Sequence, residues 1–497
     1  MLGILWTVSY VAVIAGLSIY GLHRLWVIWA YVRTRDQWRE AEAEPVVWPT
    51  VTVQLPLFNE RYVAERLLEC VGRLDYPRDA LEVQVLDDST DDTPEIVRAK
   101  VEELRRQGLD IVHLRRKDRT GFKAGALQAG LAVAKGEFIA VFDADFVPPP
   151  EMLKRAVVPM RDPDVGMVQT RWGHLNRDYN LLTRVQALFL DGHLLIEQTA
   201  RNRSGRFFNF NGTAGVWRRS CIEDAGGWEH DTLTEDLDLS YRAQLKGWRF
   251  VFLPEVVTPA ELPVDIHAFK AQQHRWAKGA IQTCRKLLPS ILRSRLPWKV
   301  KVEACFHLTA NCAYLLLAAL AVLTQPVAPE RGAWWQVIVS PEMAVFACAT
   351  LSVVMFYALV LWENRARWWE YLLYIPALIA VGIGMSINNG RAVLEALCGH
   401  QSDFARTPKY GIIRAVEGWR AKARAVSSGP IPWIEGGLFL YYLVVVGYAI
   451  HIGLWISIPF LFLFLIGFGY ITCSSWSQGT LPWGRWATGG VEKEHGV

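Results

Sequence analysis

The chain has 497 residues, 52% of them hydrophobic, which exceeds one ordinary soluble domain and is too apolar for a chain soluble throughout; a soluble domain plus several membrane spans fits best. Its 53 Lys and Arg against 49 Asp and Glu leave a formal charge of only +4, so net charge implies no polyanion-binding surface and no nucleic-acid partner is expected. The cysteines (Cys70, Cys221, Cys284, Cys305, Cys312, Cys348, Cys398 and Cys473) are scattered singly with no Cys-x-x-Cys pair, and they read as reduced structural thiols.

The apolar stretch from Leu2 to Trp29 has no basic n-region and no small-residue cleavage site, and it is long enough to cross ~30 Å of hydrocarbon. It reads as an uncleaved first span, residues 1–32. Arg33, Arg35 and Arg39 follow it and nothing basic precedes it, which places the next segment in the cytoplasm. From Val46 onward the composition is that of an α/β domain, residues 46–284. Thr50–Leu57 alternates as a strand, Ala64–Leu74 is helical in period, and Glu82–Leu86 is a strand ending at Asp87-Asp88. Pro94 opens a helix to Arg106, Ile111–Leu114 is a strand, Lys123–Ala134 a helix, and Phe138–Phe142 a buried strand ending at Asp143. Such alternation predicts a parallel sheet with right-handed crossovers, with ligands outside the strands' carboxyl ends, where both acidic pairs lie.

Beyond this domain, residues 285–301 are basic and amphipathic, as an interfacial helix would be. Candidate spans follow at Val302–Leu323, Ala344–Trp362, Tyr371–Asn388, Gly436–Ile452 and Leu454–Cys473, the last two forming a hairpin over 433–473 ahead of a tail, 474–497. The loop 389–432 carries Arg391, Arg406, Lys409, Arg414, Arg420, Lys422 and Arg424 and is cytoplasmic by charge bias. Three full spans within 302–388 would put that loop on the far side, so one of them must be re-entrant, interfacial or misread.

A nucleotide-sugar donor carries a diphosphate whose charge grows as the glycosidic bond breaks, so its site needs a divalent cation on hard oxygen ligands. Asp143 and Asp145 are the candidates, alternation pointing both one way with Ala144 turned aside. Asp87-Asp88 ends the earlier strand in the same manner and can hold the nucleoside, although Asp88-Ser-Thr-Asp-Asp-Thr93 before Pro94 is also a good helix start. An inverting transferase needs a base for the attacking hydroxyl. Asp236 in Thr234-Glu-Asp is the candidate, Glu235 its orienting or competing neighbour; the same triplet also reads as a capping turn. Gln272-x-x-Arg275-Trp276 offers a planar cation for the diphosphate and an indole face for a sugar ring, or an interfacial anchor. His267 and His274 lack zinc spacing and read as structural histidines, while Trp172, Trp217 and Trp228 read as core.

Phe210-Asn-Gly-Thr-Ala-Gly-Val-Trp217, Ala225-Gly-Gly-Trp228, Thr234-Glu-Asp-Leu-Asp238, Glu261-Leu-Pro263 and Gln272-Gln-His-Arg-Trp276 occur in fixed order. Together they resemble the processive family 2 glycosyltransferases, the group containing cellulose, hyaluronan and mannan synthases. They look most like the plant cellulose-synthase-like mannan and glucan synthases and their bacterial relatives, across Thr50 to Gly279. The resemblance implies an α/β nucleotide-sugar transferase domain, a mixed, mostly parallel Rossmann-like sheet, inserted between α-helical transmembrane segments. It implies a donor held around its base by Pro56, Asn59 and Glu60, with Asp87 or Asp88 and Lys123 near the nucleotide. It further implies Mg²⁺ or Mn²⁺ at Asp143 and Asp145, acceptor contacts at Phe210, Asn211 and Gly212, Asp236 as base, and Trp276 beneath the acceptor sugar. Phe404-Ala-Arg-Thr-Pro-Lys409 looks like the gating loop of cellulose synthases, bringing Thr407 and Lys409 to the donor; Arg406 stands where those enzymes carry an apolar residue.

The expectation is therefore an integral membrane protein of the cell inner membrane with a cytoplasmic catalytic domain. It would be an inverting β-glycosyltransferase that polymerises sugar from a nucleotide-sugar donor, UDP-glucose ahead of GDP-mannose, and translocates the β-linked product. The alternative is a nonprocessive lipid glycosyltransferase of ceramide or polyprenyl-phosphate type, so the acceptor is a growing glycan or a lipid. A transporter or receptor that only binds sugar nucleotides is disfavoured, since the apparent spans hold few ionisable residues to mark an ion path.

Overall fold

The structure, a computed structural model, describes residues 2–37, 47–324, 341–402, 406–413, 418–419, 422 and 430–478. Arg39, Phe404, Arg414, Arg420, Arg424 and the tail beyond Gln478 lie outside the described residues. Helix α1 (Leu2–Thr34) precedes an α/β domain whose strands are β1 (Val51–Leu57), β2 (Leu81–Asp87), β3 (Asp110–Leu114), β4 (Phe138–Val141), β5 (Val165–His174), β6 (Gly215–Arg218) and β7 (Arg249–Ala260). They form one sheet in the order β3-β2-β1-β4-β6-β5-β7, parallel except at β6, which runs antiparallel to both β4 and β5.

The residue pattern explains the sheet's position. Every residue of β2 is buried, as is every residue of β1 except Pro56, because helices cover both faces. Those helices are α2 (Ala64–Gly72), α3 (Thr93–Arg106), α4 (Phe122–Val133), α5 (Met152–Val157), α6 (Leu181–Asp191), α7 (Gln198–Arg203), α8 (Arg219–Asp224) and α9 (Glu235–Leu245). The polar pair inside the sheet is self-satisfied, Gln54 donating to Gln84 at 3.1 Å. Helix α3 starts with Pro94 in its first turn and the Asp91 carboxylate accepting from Thr93 N at 3.0 Å, so that acidic string does serve as a helix start.

Asp143 and Asp145 are not held by strand alternation. Strand β4 ends at Val141, and a turn closed by Phe146 N donating to Asp143 O at 3.1 Å carries both. The other correction lies after the domain. One unbroken helix, α10 (Ile266–Arg293), carries both Gln272-x-x-Arg275-Trp276 and the first half of the basic stretch, so 285–301 is not a separate helix. Pro289 sits inside α10, and the chain breaks only after Arg293.

The remaining helices are α11 (Trp298–Thr309), α12 (Cys312–Leu323), α13 (Pro341–Glu363), α14 (Trp368–Gly384), α15 (Ser386–Leu397), α16 (Ile431–His451) and α17 (Ile458–Gln478). Three segments, Gly3–Thr34, Ile431–His451 and Trp455–Gln478, are each long and apolar enough to cross a membrane. Two bent pairs, α11 with α12 at 54° and α14 with α15 at 45°, also pass as broken spans or re-entrant loops. The second pair makes polar contacts near both of its ends. Tyr374 near the start of α14 takes a hydrogen bond from Arg184 of α6, and at the end of α15 Glu395 pairs with Lys278 at 2.9 Å while Ala396 O accepts from Arg285. The α14–α15 pair is thus tied to α6 near one end and to α10 at the other.

Candidate active site

The chain runs β1, β2, β3 to one side and then returns to β4 on the other, so the crevice between β1 and β4 is the topological switch point of the sheet. A cavity of about 170 Å³ opens there. It is lined by Pro56 at the end of β1 and Glu60 after it, Asp88 after β2, Asp143 and Asp145 after β4, and Asn211 and Gly212 before β6. Lys123 of α4, Glu235 and Asp236 of α9, and Gln272, Arg275 and Trp276 of α10 complete it from the helical side, and Thr407 and Lys409 cover it.

Lys123 is the hub of the carboxylates. Its ammonium donates to Asp143 at 2.5 Å and to Gly212 O at 2.8 Å, and lies 3.9 Å from Glu235. Burial alone would lower its pKa, but Asp143 and Glu235 outweigh it and hold the ammonium charged. Asp236 begins α9, with Leu237 N donating to its Oδ1 at 2.8 Å. Burial, reinforced by Glu235, pushes the Asp236 carboxyl up to about 7, against the pull of Lys123, so it can exchange a proton near neutrality. Gly212 faces it at φ +82°, and a Cβ there would stand 2.9 Å from the Asp236 Oδ2, so glycine clears the approach to this carboxylate.

On the other wall Lys409 donates to Asp145 at 2.6 Å, and Arg406 donates to Phe58 O and Asn59 O at 2.9 and 2.6 Å and pairs with Glu60 at 2.7 Å. Burial pushes the Glu60 carboxyl up to about 8 while Arg406 and Lys409 pull it down. Burial also lowers the pKa of Arg275, with Glu235 and Asp143 opposing. Among the polar atoms of the lining that are buried with no hydrogen-bond partner among the described residues are Thr407 Oγ1, Asn211 Nδ2 and Arg119 Nε. The Asn211 amide is oriented by Gln198 and Asn209, which donate to its Oδ1 at 3.1 and 3.0 Å and turn its N–H₂ free.

Asp143 and Asp145 fit a divalent cation by their chemistry. Each already holds a cationic ammonium within hydrogen-bond range, and two carboxylates suffice for an ion that takes its other ligands from phosphates and water. Among the described residues the one group of three close carboxylates, Glu229, Asp231 and Asp238, lies elsewhere and is bridged by Lys286 at 2.5, 2.8 and 3.0 Å.

Three of the expected site residues do not line the cavity. Asp87 is sealed in the sheet, bonded to His113 at 2.8 Å and to Ser89 N, and these bonds hold its carboxyl below the usual range despite burial. The Asn59 side chain accepts from Thr90 N and Asp91 N at 2.8 and 3.3 Å, latching two loops together at a left-handed φ of 56°. Phe210 is fully buried against Trp217 and Trp228, a core role that leaves only its neighbours to a ligand. Conversely Trp172, read as core, lines the cavity, while Trp217 and Trp228 are core. Sequence reasoning also missed Arg119, whose guanidinium stacks 3.4 Å from the Phe58 ring, and Glu261, paired with Arg66 at 2.6 Å. Glu261 sits in a quoted string; Arg119 had no local signal. His267 and His274 make polar contacts with Ser475 O and Glu395 at 3.1 and 3.3 Å.

A doubly covered sheet with acidic loops at its switch point defines the class, a nucleotide-dependent transferase domain of the GT-A type. Residues 49–279 match the family described as glycosyltransferase like family 2. Glucomannan 4-beta-mannosyltransferase 2 of Arabidopsis thaliana is 37% identical over 392 residues, 75% of this chain and 69% of that protein. Glucomannan 4-beta-mannosyltransferase 1 of Oryza sativa subsp. japonica is 44% identical over 269 residues, 53% of this chain and only 51% of the rice protein, about half its length. A mannosyltransferase from Pyrobaculum calidifontis, solved with GDP-Man and Mn²⁺, shares the fold with a TM-score of 0.53 at 23% identity, covering 79% of this chain and 100% of its own. The chain belongs to the family 2 glycosyltransferases, in their cellulose-synthase-like branch.

Proposed function

We propose that this protein is a membrane-integral, inverting β-mannosyltransferase that draws on GDP-mannose and extends a β-linked mannan or glucomannan. The names of its relatives move the donor from the UDP-glucose expected from sequence to GDP-mannose. The observation that carries the reading is the convergence of Asp143, Asp145, Lys123 and Asp236 on one cavity walled by Arg275 and Trp276.

Asp143 and Asp145 would hold a divalent cation, Mn²⁺ or Mg²⁺, which when bound would supply charge neutralisation at the departing diphosphate. Arg275 and Lys123 orient that diphosphate, and Trp276 offers its indole face to the acceptor sugar. Asp236, across from Gly212, takes the proton of the attacking hydroxyl, and attack from the face opposite the leaving group inverts the anomeric carbon. Helix α10 joins this site to the membrane helices through Lys270–Glu435 at 2.6 Å and Lys278–Glu395 at 2.9 Å, which favours delivery of a growing chain into them. The α/β domain lies on the cytoplasmic face.

A donor screen tests the reading: purified protein with Mn²⁺ or Mg²⁺ and GDP-mannose, UDP-glucose or UDP-N-acetylglucosamine, scored by nucleotide release and product digestion. Release of GDP with a β-mannanase-sensitive polymer is expected. Turnover of UDP-glucose alone would remove the donor assignment, and a single-sugar product in the organic phase would remove the polymerising one.

A further inference from the structure

A second cleft, of about 1110 Å³, opens away from the catalytic cavity where three apolar helices end together. Tyr31 comes from the end of α1 and Arg35 from the turn just after it, Trp362 and Glu363 from the end of α13, and Trp368 from the start of α14. Trp362 and Trp368 are 72% and 75% exposed, as tryptophans are at a bilayer's headgroup level. The inner wall belongs to the α/β domain, with Arg171 of β5, Arg203 of α7 and Glu255 of β7.

The cleft holds four arginines, Arg35, Arg171, Arg203 and Arg365. Arg35 pairs with Glu363, and Arg203 lies 3.5 Å from Glu255. Arg171 and Arg365 have no carboxylate within 4.0 Å among the described residues, and Arg171 Nε is buried without a hydrogen-bond partner. Arg365 stands in a left-handed turn, φ 53°, that joins α13 to α14 and presents it at the rim. Unpaired guanidinium groups between aromatic anchors at the ends of membrane helices match a phosphodiester in fork geometry, with acyl chains running out along the helices.

We propose that this cleft binds the headgroup of an anionic phospholipid and seats the α/β domain on the bilayer. Arg171 and Arg365 take the phosphate, and Trp362 and Trp368 border the glycerol level.

The test is titration of the full-length protein in detergent, followed by native mass spectrometry, with dioctanoyl phosphatidylglycerol, dioctanoyl phosphatidylcholine and inorganic phosphate. Saturable binding of phosphatidylglycerol in preference to phosphatidylcholine is expected. Arg365→Gly, which also relieves the left-handed backbone, should weaken it about fivefold, and Arg171→Gln with Arg365→Gly about 30-fold, at roughly fivefold per cationic contact. An unchanged affinity in either variant, or equal binding of the zwitterionic lipid, overturns the proposal. Inorganic phosphate binding as tightly as the lipid would make the site a free-anion site. Lipid binding that appears only after Glu40, Glu42 and Glu44 become glutamine would give the cleft to the chain's own acidic segment, and either result also overturns it.

Discussion

Asp236 carries a cost and a capability together. Burial raises its carboxyl to about 7, so the free enzyme holds it protonated below that pH and competent as a base above it. We expect kcat/KM for donor to climb as pH rises through about 7, and Asp236→Asn to remove that limb from whatever activity is left. Stability has the opposite sign. A carboxyl whose folded pKa lies above its unfolded value near 4 stabilises the fold at low pH, and this contribution is lost as pH rises through 7. The Asn variant should therefore melt higher than the native chain at pH 8 and no higher at pH 4; equal melting at pH 8 would mean the carboxyl is not strained by burial. Residue by residue, the chemistry-bearing types were readable as short strings, but their destinations were not. Phe210 and Asn211 are adjacent in one string, yet the first fills the core and the second lines the cavity, because β6 and its approach set which side chain faces inward. Asp87 and Asp88 divide likewise, Asp87 claimed by a histidine on β3 and Asp88 by Arg116 at 2.5 and 3.0 Å, neither of which local spacing reveals.

At the scale of elements, α10 is the strut between site and membrane. Gly279 on α10 lies so close to Thr234 that a Cβ would meet its Cγ2 at 2.5 Å and its backbone N at 3.0 Å. Gly279→Val should push away the turn that carries Glu235 and Asp236, cutting kcat by about 10²-fold, with donor binding measured separately to show that the fold survives. Lys270 of α10 and Glu435 of α16 form a buried pair at 2.6 Å. Lys270→Met should cost about 3–5 kcal/mol by stranding the glutamate, and Lys270→Met with Glu435→Met should recover most of it in a thermal-unfolding cycle. Strands β1 to β4 were legible because each is an apolar run bounded by turn residues. The other half of the sheet was not: β6 has four residues, and β7 contains Pro254 beside a register shift against β5. The length of α10 was hidden by its change of character, polar contacts with the site in one half and a basic surface in the other.

For the whole molecule, α1, α16 and α17 are long and apolar enough to cross a membrane, the bent pairs α11–α12 and α14–α15 pass the same test as pairs, and the described apolar part of α13 is shorter. The end of α17 lies at the start of α10, where Gln478 accepts from Ile266 N. A membrane-impermeant maleimide should thus reach the exposed Cys398 from the face that accepts donor, and a Trp455→Cys variant from the opposite face. The described part of the 389–432 loop meets the α/β domain through Lys409–Asp145 and Arg406–Glu60, and helical periodicity gave no sign of the 45° bend at Met385. The central claim, that metal-held donor and buried base share one cavity, is tested most directly by Asp236→Asn. Mn²⁺-dependent binding of GDP-mannose, followed by calorimetry, should match the native protein while GDP release falls about 10²–10⁴-fold. Native turnover in that variant, or donor binding lost along with turnover, would contradict it.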